Sequence, residues 1–518
     1  MRAPRRLLLG SIVNPPDAPV RRGPSRDLKE VGWRAFATLG GAQLVKLVLN
    51  VIGTITLVRM LSPADFGVAA MAAVFVNFVL LFKDLGFGTA IVQSSSISQR
   101  MASTFFWLAQ LAGVMFGLMG VAFAPLMAQV FSVPELAQAV TILSLGFLLG
   151  TLGSQHAAWL ARDFRFASLA AVETVALCLS LATALTLASI GYGWWSLIWQ
   201  RLVQIALTTL GLWLACSWRP SMEMSLQEAK SPLKLSLHVV QANMATYLTR
   251  HADNLLIGWY WGPSALGLYS KAYDLFMAPL TQVSSPLGQT LQPLLARLRD
   301  KPEQFSQLVM HAFSASFLIL LPVGVLMVWQ AADVTLVLLG ESWAAAAPVI
   351  SWLGLAVCFQ LGGSVLMWSL VTRQRGADLS RTSLINAAVN LGGFIVSVPY
   401  GIVAVAATYV MLGIFVRIPY ALFVCSGDEL FPRAAALRAL GLPLLAFCGL
   451  SVLFVSIDFT LMMPSLALWQ RLLLQLLLAY VCLLLFIHPT DLGRFIRRTS
   501  SFFFRRTISE SASRDGSS

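Results

Sequence analysis

The sequence predicts an all-α polytopic membrane protein with 14 transmembrane helices in two similar halves. Three observations predict it. Hydrophobic residues make up 57% of the chain and charged residues 11%, against about 25% charged in an ordinary soluble domain. Mean hydropathy is +0.75, more apolar surface than a soluble protein of this size can bury. The basic residues alternate from one interhelical loop to the next. And one set of proline and glycine landmarks occurs twice.

The helices follow in order from the length of about 20 apolar residues that a span requires. The predicted segments are 36–60, 65–82, 103–130, 136–155, 168–190, 193–216 and 234–260, then 265–290, 306–330, 345–371, 381–399, 401–424, 436–457 and 466–488. They divide the chain into a tail at 1–31, a first half at 32–233, a second half at 234–430, two appended helices at 431–490 and a tail at 491–518. The first tail reads as basic, proline-containing, cytoplasmic and disordered. Arg2, Arg5 and Arg6 precede only a short apolar run that Asn14-Pro15-Pro16 ends, so a signal peptide is not expected.

Loops after even-numbered helices carry Lys83 and Arg100; Arg162 and Arg165; Arg219, Lys230 and Lys234; Arg297, Arg299 and Lys301; Arg373, Arg375 and Arg381; Arg433 and Arg438. Loops after odd-numbered helices carry Arg59, and otherwise Asp65, Glu135, Asp333, Glu341 and Asp458. This bias places the even loops and both termini in the cytoplasm. The formal charge of +13 is therefore a membrane-topology signal and implies no nucleic-acid partner.

Leu61-Ser62-Pro63, Gly67 and Gly88 return as Trp261-Gly262-Pro263, Gly267 and Gly288. Ser62 reads as an N-cap, Pro63 as the first helical residue and Asp65 as the acid of a capping box. Two helix–tight turn–helix units in matching places are the sign of a transporter built from repeats, with its site between them. The hinges are then expected at Pro63, Gly67, Pro263 and Gly267.

Enzymatic motifs are missing. There is no P-loop, HExxH or DxD sequence, and Gly86-Phe87-Gly88 lacks the rest of a dinucleotide fingerprint. The six cysteines form no CxxC pair and read as small buried apolar residues. The five histidines show no metal-ligand spacing, so no metal and no cofactor are expected.

Ionisable groups at membrane depth usually face a cavity or a partner. Arg250 lies about 15 Å from one end of its helix at 1.5 Å per residue, and Asp253 can pair with it on one face. Lys46 and Asn50 share a face of the first helix. Lys271 and Asp274 follow in the eighth, Glu173 in the fifth, Arg201 in the sixth and Arg417 in the twelfth. Glu173 and Arg417 are close enough to helix ends to snorkel, and Arg201 can meet a helix-terminal carbonyl. Lys46 and Arg250 are read as facing a central cavity, with a structural Arg250–Asp253 ion pair as the alternative. A cationic cavity suits an anionic substrate such as a diphosphate-linked lipid.

The stretches Leu61-Ser62-Pro63-Ala64-Asp65-Phe66-Gly67, Asp84 to Gln93, Asp253 to Gly258, Ala265 to Tyr273 with Pro279, and Leu339 to Pro348 resemble the signatures of Wzx-like oligosaccharide flippases. These belong to the polysaccharide transporter family of the MATE-like multidrug/oligosaccharidyl-lipid/polysaccharide (MOP) superfamily. The resemblance covers about residues 30–490. It implies fourteen helices arranged as two pseudo-symmetric six-helix bundles plus two C-terminal helices, a central cationic cavity and the movement of undecaprenyl-diphosphate-linked oligosaccharide repeat units from the cytoplasmic to the periplasmic leaflet of the bacterial inner membrane. Implied partners are that lipid-linked oligosaccharide, the lipid bilayer, and a polysaccharide polymerase and co-polymerase. The basic N-terminal tail is longer than the usual start of such proteins.

The expected function is flipping for exopolysaccharide, capsule or O-antigen, coupled to an ion gradient. Within the fold, a peptidoglycan-precursor flippase or a drug/ion antiporter stands as the alternative. A membrane polymerase or ligase is the alternative from another class; it would be expected to need a sizeable periplasmic loop for its catalytic groups. Arg250, Lys46 and Lys271 are the expected substrate ligands, with Asp253 and Asn50 orienting or coupling.

Overall fold

The computed structural model describes residues 28–80, 91, 97–223, 225–425, 433–456 and 466–488. Among them no strand occurs. The first tail is shorter than expected, because helix α1 already begins at Leu28. The helices are α1 (Leu28–Met60), α2 (Pro63–Leu80), α3 (Gln99–Phe131), α4 (Glu135–Arg162), α5 (Phe166–Ser189) and α6 (Trp195–Ala215). Then come α7 (Leu226–Arg297), α8 (Pro302–Trp329), α9 (Ala331–Leu338), α10 (Ala347–Thr372), α11 (Gly376–Ser397), α12 (Ile402–Leu412), α13 (Ile418–Cys425), α14 (Arg433–Ser456) and α15 (Leu468–Ile487). Among the described residues, 9 helices are long and apolar enough to cross a membrane, and Pro63–Asn77 and Leu440–Ser456 are shorter apolar ones. The protein is a multi-pass membrane protein.

Both predicted hairpin joints are breaks. At the first, the Ser62 amide and hydroxyl both donate to Asp65 Oδ2, at 2.9 and 2.6 Å. The Asp65 amide returns a 3.3 Å bond to Ser62 Oγ, closing the capping box. At the second, α7 is interrupted at Gly262, with φ 77° and ψ −172°, a region essentially restricted to glycine. Pro263 then starts the second arm. Gly67 and Gly267 are not at the breaks; both are buried inside helices.

The chain divides into two compact units, Met1–His251 and Ala252–Ser518. In the first, α3 and α4 approach closely: a Cβ at Gly113 would stand 2.6 Å from Thr151 Oγ1. The αL turn after α4 has Phe164 at φ 56°, and Arg165 N–H bonds Leu160 O at 2.8 Å. The loop before α6 packs on the first joint, where a Cβ at Gly193 (φ +52°) would stand 2.8 Å from Asp65 Oδ1.

The segment after α6 is fastened along the start of α3. Trp218 Nε1 donates to Gln99 Oε1 at 2.8 Å, and Gln99 Nε2 to Arg219 O at 2.7 Å. Arg100 pairs with Glu223 at 2.8 Å. Ser221 N–H donates to Ser103 Oγ, Trp107 Nε1 to Ser221 O, and Ser225 N–H to Thr104 Oγ1, all within 2.8–2.9 Å. Arg219 also caps α6 through the carbonyls of Trp213 and Cys216. The expected loop at 217–233 is therefore a fixed strap up to Ser225. The two units meet in sequence between His251 and Ala252, within the first arm of α7.

The second unit repeats these devices. A Cβ at Gly324 of α8 would stand 2.8 Å from Gly354 O of α10. Gln374 takes φ 58° after α10, with Arg375 N–H on Leu370 O at 3.0 Å. The Trp261 indole beside the second joint donates to Val398 O at 2.7 Å, at the turn before α12. The α9 turn and the 3-10 segment Glu341–Ala346 fill the expected loop at 330–345. Gly340 (φ 97°) turns the chain and fully buried Trp343 anchors it. Helices α14 and α15 pack on α8 in one core that includes Phe313, Phe317, Leu450, Phe454, Leu472 and Leu483.

The cysteines depart in part from their reading. Cys216, Cys358 and Cys425 are buried, but Cys178 and Cys448 are exposed and Cys482 is intermediate. A thiol is apolar enough for the outer face of a membrane helix.

Close helix approach through small residues is how membrane helices gain packing without a hydrophobic drive. Gly324→Val is therefore expected to lower the membrane level of the protein strongly. Gly363→Ala, which meets open space, leaves it unchanged. Quantitative immunoblots of the two variants at equal transcription check this.

Candidate functional site

The expected cations are largely engaged with carboxylates. Lys46 Nζ of α1 donates to Glu173 Oε2 of α5 at 2.6 Å, with the side chains 20% and 42% exposed. Glu173 is seven residues into α5, about 10 Å from its start at 1.5 Å per residue. The ammonium is thus held by a carboxylate about two turns into α5. Glu173 does not snorkel alone; it is the partner of Lys46.

Lys271 Nζ pairs with Asp274 Oδ2 at 2.7 Å, the two side chains 16% and 62% exposed. Asn50 is exposed on α1 and makes no described contact with the Lys46–Glu173 pair. Arg201 of α6 is exposed and makes no hydrogen bond among the described residues. Arg250 lies in the first arm of α7; its side chain is outside the described residues, as are Gly88 and most of the Asp84–Gln93 stretch.

Asp253 is 4% exposed. It accepts from the Tyr269 hydroxyl at 2.9 Å and from the Asn254 amide at 2.8 Å. The acid is thus bonded across the Gly262 break, from one arm of α7 to the other. The Tyr269 ring stacks on Tyr273 with centroids 6.3 Å apart, and Tyr273 meets Tyr409 edge-on at 6.4 Å. The Arg417 guanidinium stands 4.4 Å over Tyr409. This ladder ends at a π-helical turn, Gly413–Arg417, where Arg417 Nη2 donates to Tyr409 O at 3.0 Å. A wide turn loosens the carbonyls beneath it, and Arg417 satisfies one. The guanidinium is thus engaged with Tyr409 inside the second unit.

Sequence reasoning missed a second aromatic group. His156 is fully buried, with Nδ1 on Leu152 O at 3.1 Å. Its ring lies 4.3 Å from that of Trp213 and 5.4 Å from that of Trp218. Arg219 stands 5.3 Å over Trp213 and Arg162 5.8 Å over Trp159. Arg162 also donates to Ile91 O. The tryptophans Trp107, Trp213 and Trp218 beside loop arginines were the available signal. They belong to the strap between α3 and α6. Among the described residues no group of His, Cys, Asp and Glu could hold a metal.

Comparison with known proteins bears on what this scaffold is. The family model described as "Polysaccharide biosynthesis protein" matches residues 56–348. The succinoglycan biosynthesis transport protein ExoT of Rhizobium meliloti (strain 1021) is 27% identical over 374 residues, covering 72% of this chain and 74% of that protein. The lipopolysaccharide biosynthesis protein WzxC of Escherichia coli (strain K12) is 23% identical over 401 residues, 74% of this chain and 80% of that one. Among solved structures, the lipid II flippase MurJ in an inward closed conformation superposes with a TM-score of 0.68 at 14% identity. It covers 90% of this chain and 99% of its own. An inward-facing multidrug resistance MATE family transporter of the MOP superfamily gives 0.53 at 14% identity, over 78% and 99%. These two show the fold. The chain belongs to the polysaccharide biosynthesis protein family, a family of membrane transporters and not of enzymes, and is built on the MOP-superfamily fold.

Proposed function

We propose that this chain moves undecaprenyl-diphosphate-linked oligosaccharide repeat units from the cytoplasmic to the periplasmic leaflet of the inner membrane, for surface polysaccharide synthesis. The observation that carries the reading is the family match over residues 56–348, supported by relatives that bear the names of polysaccharide and lipopolysaccharide biosynthesis proteins. The likeness to MurJ is a likeness of fold and brings no substrate with it. Fourteen spans, even loops in the cytoplasm and both termini inside complete the topology, on the loop charges. A reporter active only in the periplasm stays silent when fused at residue 518 or 300 and reports at 335. A periplasmic signal at 300 would sink this topology.

The ligand for the diphosphate is the Lys46 ammonium, in exchange with Glu173. A phosphate oxygen competes with the Glu173 carboxylate for the same donor, as two charge-assisted acceptors must. Substrate binding at Lys46 therefore displaces Glu173, and the return of Glu173 to the ammonium expels the anion.

A lone ion at membrane depth costs about 2.5–3.5 kcal/mol on insertion scales. Lys46→Met is expected to lower protein level and to stop export. Lys46→Met with Glu173→Met recovers the level, because no unpaired charge remains, but not the export. Glu173→Gln removes the competing charge, so it should tighten the binding of undecaprenyl diphosphate and slow its export. Export restored by the double variant would reduce the pair to a structural role.

Arg250 is the second proposed phosphate ligand, on its depth in the first arm of α7. Losing one charge-assisted contact typically weakens binding by about 1.5–3 kcal/mol. Arg250→Ala should abolish or strongly reduce surface polysaccharide at normal expression, and Arg250→Lys should retain part of it. Polymer and membrane protein are quantified together. Normal export by a stable Arg250→Ala protein would remove Arg250 from the site.

A further inference from the structure

A cavity of about 620 Å³ opens in the second unit between the second arm of α7 and helix α10. That volume lies in the range of small-ligand sites, about 300–1,000 Å³. Its lining includes Ser284, Gly288, Gln289, Gln292, Trp368 and Thr372, and no charged side chain. Gln289 Nε2 bonds Ser285 Oγ at 3.3 Å, and Thr372 Oγ1 bonds Ser369 O at 3.0 Å. Among the described residues the Gln292 amide, the Ser284 hydroxyl and the Trp368 indole N–H have no protein partner.

Ser284 and Gln292 lie about 20 and 7.5 Å from the helix end at Arg297, at 1.5 Å per residue, so the cavity stands toward that end of the arm. A phosphate would find no cation in its lining.

Gly288 has a specific part. A Cβ there would stand 2.9 Å from Trp368 Cζ2 and 3.2 Å from Cε2. The absent side chain lets the indole lie across the helix at the cavity. Gly288 is one of the landmarks of the sequence repeat, and neither the helix break nor the ion pairs account for it.

Neutral amides and hydroxyls beside an indole are the chemistry that recognises carbohydrate. Carboxamides both donate to and accept from hydroxyl groups, and an aromatic face covers the apolar C–H face of a pyranose. We propose that this cavity binds the sugar portion of the transported lipid-linked oligosaccharide. Trp368 stacks on one ring, and Gln292, Gln289 and Ser284 bond its hydroxyls. The assignment rests on the transport reading above and gives that reading a sugar-selective element, separate from the diphosphate ligands.

The test uses the purified full-length protein in lipid nanodiscs and two probes. One is undecaprenyl diphosphate. The other is the free oligosaccharide released by mild acid from the lipid-linked intermediates that accumulate in cells lacking this chain. The unaltered protein should bind both. Gln292→Leu and Trp368→Leu should each weaken oligosaccharide binding about tenfold, the scale of one or two lost neutral contacts, with undecaprenyl diphosphate binding unchanged. Retained diphosphate binding also shows that each variant is folded. Trp368→Phe should recover most of the affinity. Oligosaccharide binding that is absent from the unaltered protein, or equal in Gln292→Leu, overturns the site while leaving the transport reading standing. Oligosaccharide binding that depends on Gln292, with no binding of undecaprenyl diphosphate, supports the cavity and sinks the transport reading instead.

Discussion

In hydrocarbon every backbone N–H and C=O must find a partner inside the protein, and the breaks in these helices follow from that. The chain leaves the α-helical path at three informative places. Each is answered locally. At Ser62 the freed amides are taken by the capping box with Asp65. At Gly262 the turn is made by the residue that can adopt φ 77°, and Trp261 binds it to Val398 O. At the π-helical turn Arg417 covers Tyr409 O. A break placed elsewhere would leave polar groups unpaired, so these positions fix where the helices end and which side chains stand near one another.

The same economy governs the charges. Lys46 is held by Glu173, Lys271 by Asp274, and Asp253 by the Tyr269 hydroxyl. Burying an ion beside its counter-ion avoids the larger cost of leaving it alone. It also means that a bound anion must replace something. An anion that approached Lys46 would compete with Glu173 for the same ammonium. A bare cation would bind an anion tightly and release it slowly. A paired one is suited to turnover.

Much of the scaffold was legible in the sequence because its causes are local. Apolar length gave the helices, and Ser62-Pro63-Ala64-Asp65 and Gly262-Pro263 gave the joints. Gly67 and Gly267 stand one turn inside the helical arms that Pro63 and Pro263 begin, and both are buried. The site was much less legible. Lys46 and Glu173 are bonded across 127 positions, and the Gln99–Arg219 strap across 120. No periodicity reports a pairing at that range. Tyr269 sits inside a recognisable motif, but only the fold brings it to Asp253 across the Gly262 break.

The two units share their backbone devices and differ in their charges, and the difference bears on which half does what. Aligning Pro63 with Pro263 sets Lys46 opposite Thr246, Asp253 opposite Gly53 and Tyr269 opposite Ala69. Aligning the αL turns, Phe164 with Gln374, sets Glu173 opposite Ser383. The glycine seams, the αL caps and the docked turns recur in both units; the ion pair and the acid–tyrosine bond do not. A scaffold repeated for stability needs the same packing twice. A directional transporter has no need of the same charge twice, because two equal anion sites would give a substrate no reason to leave either. The first unit holds the Lys46–Glu173 pair and the second the neutral cavity beside Trp368, each a property of its own unit.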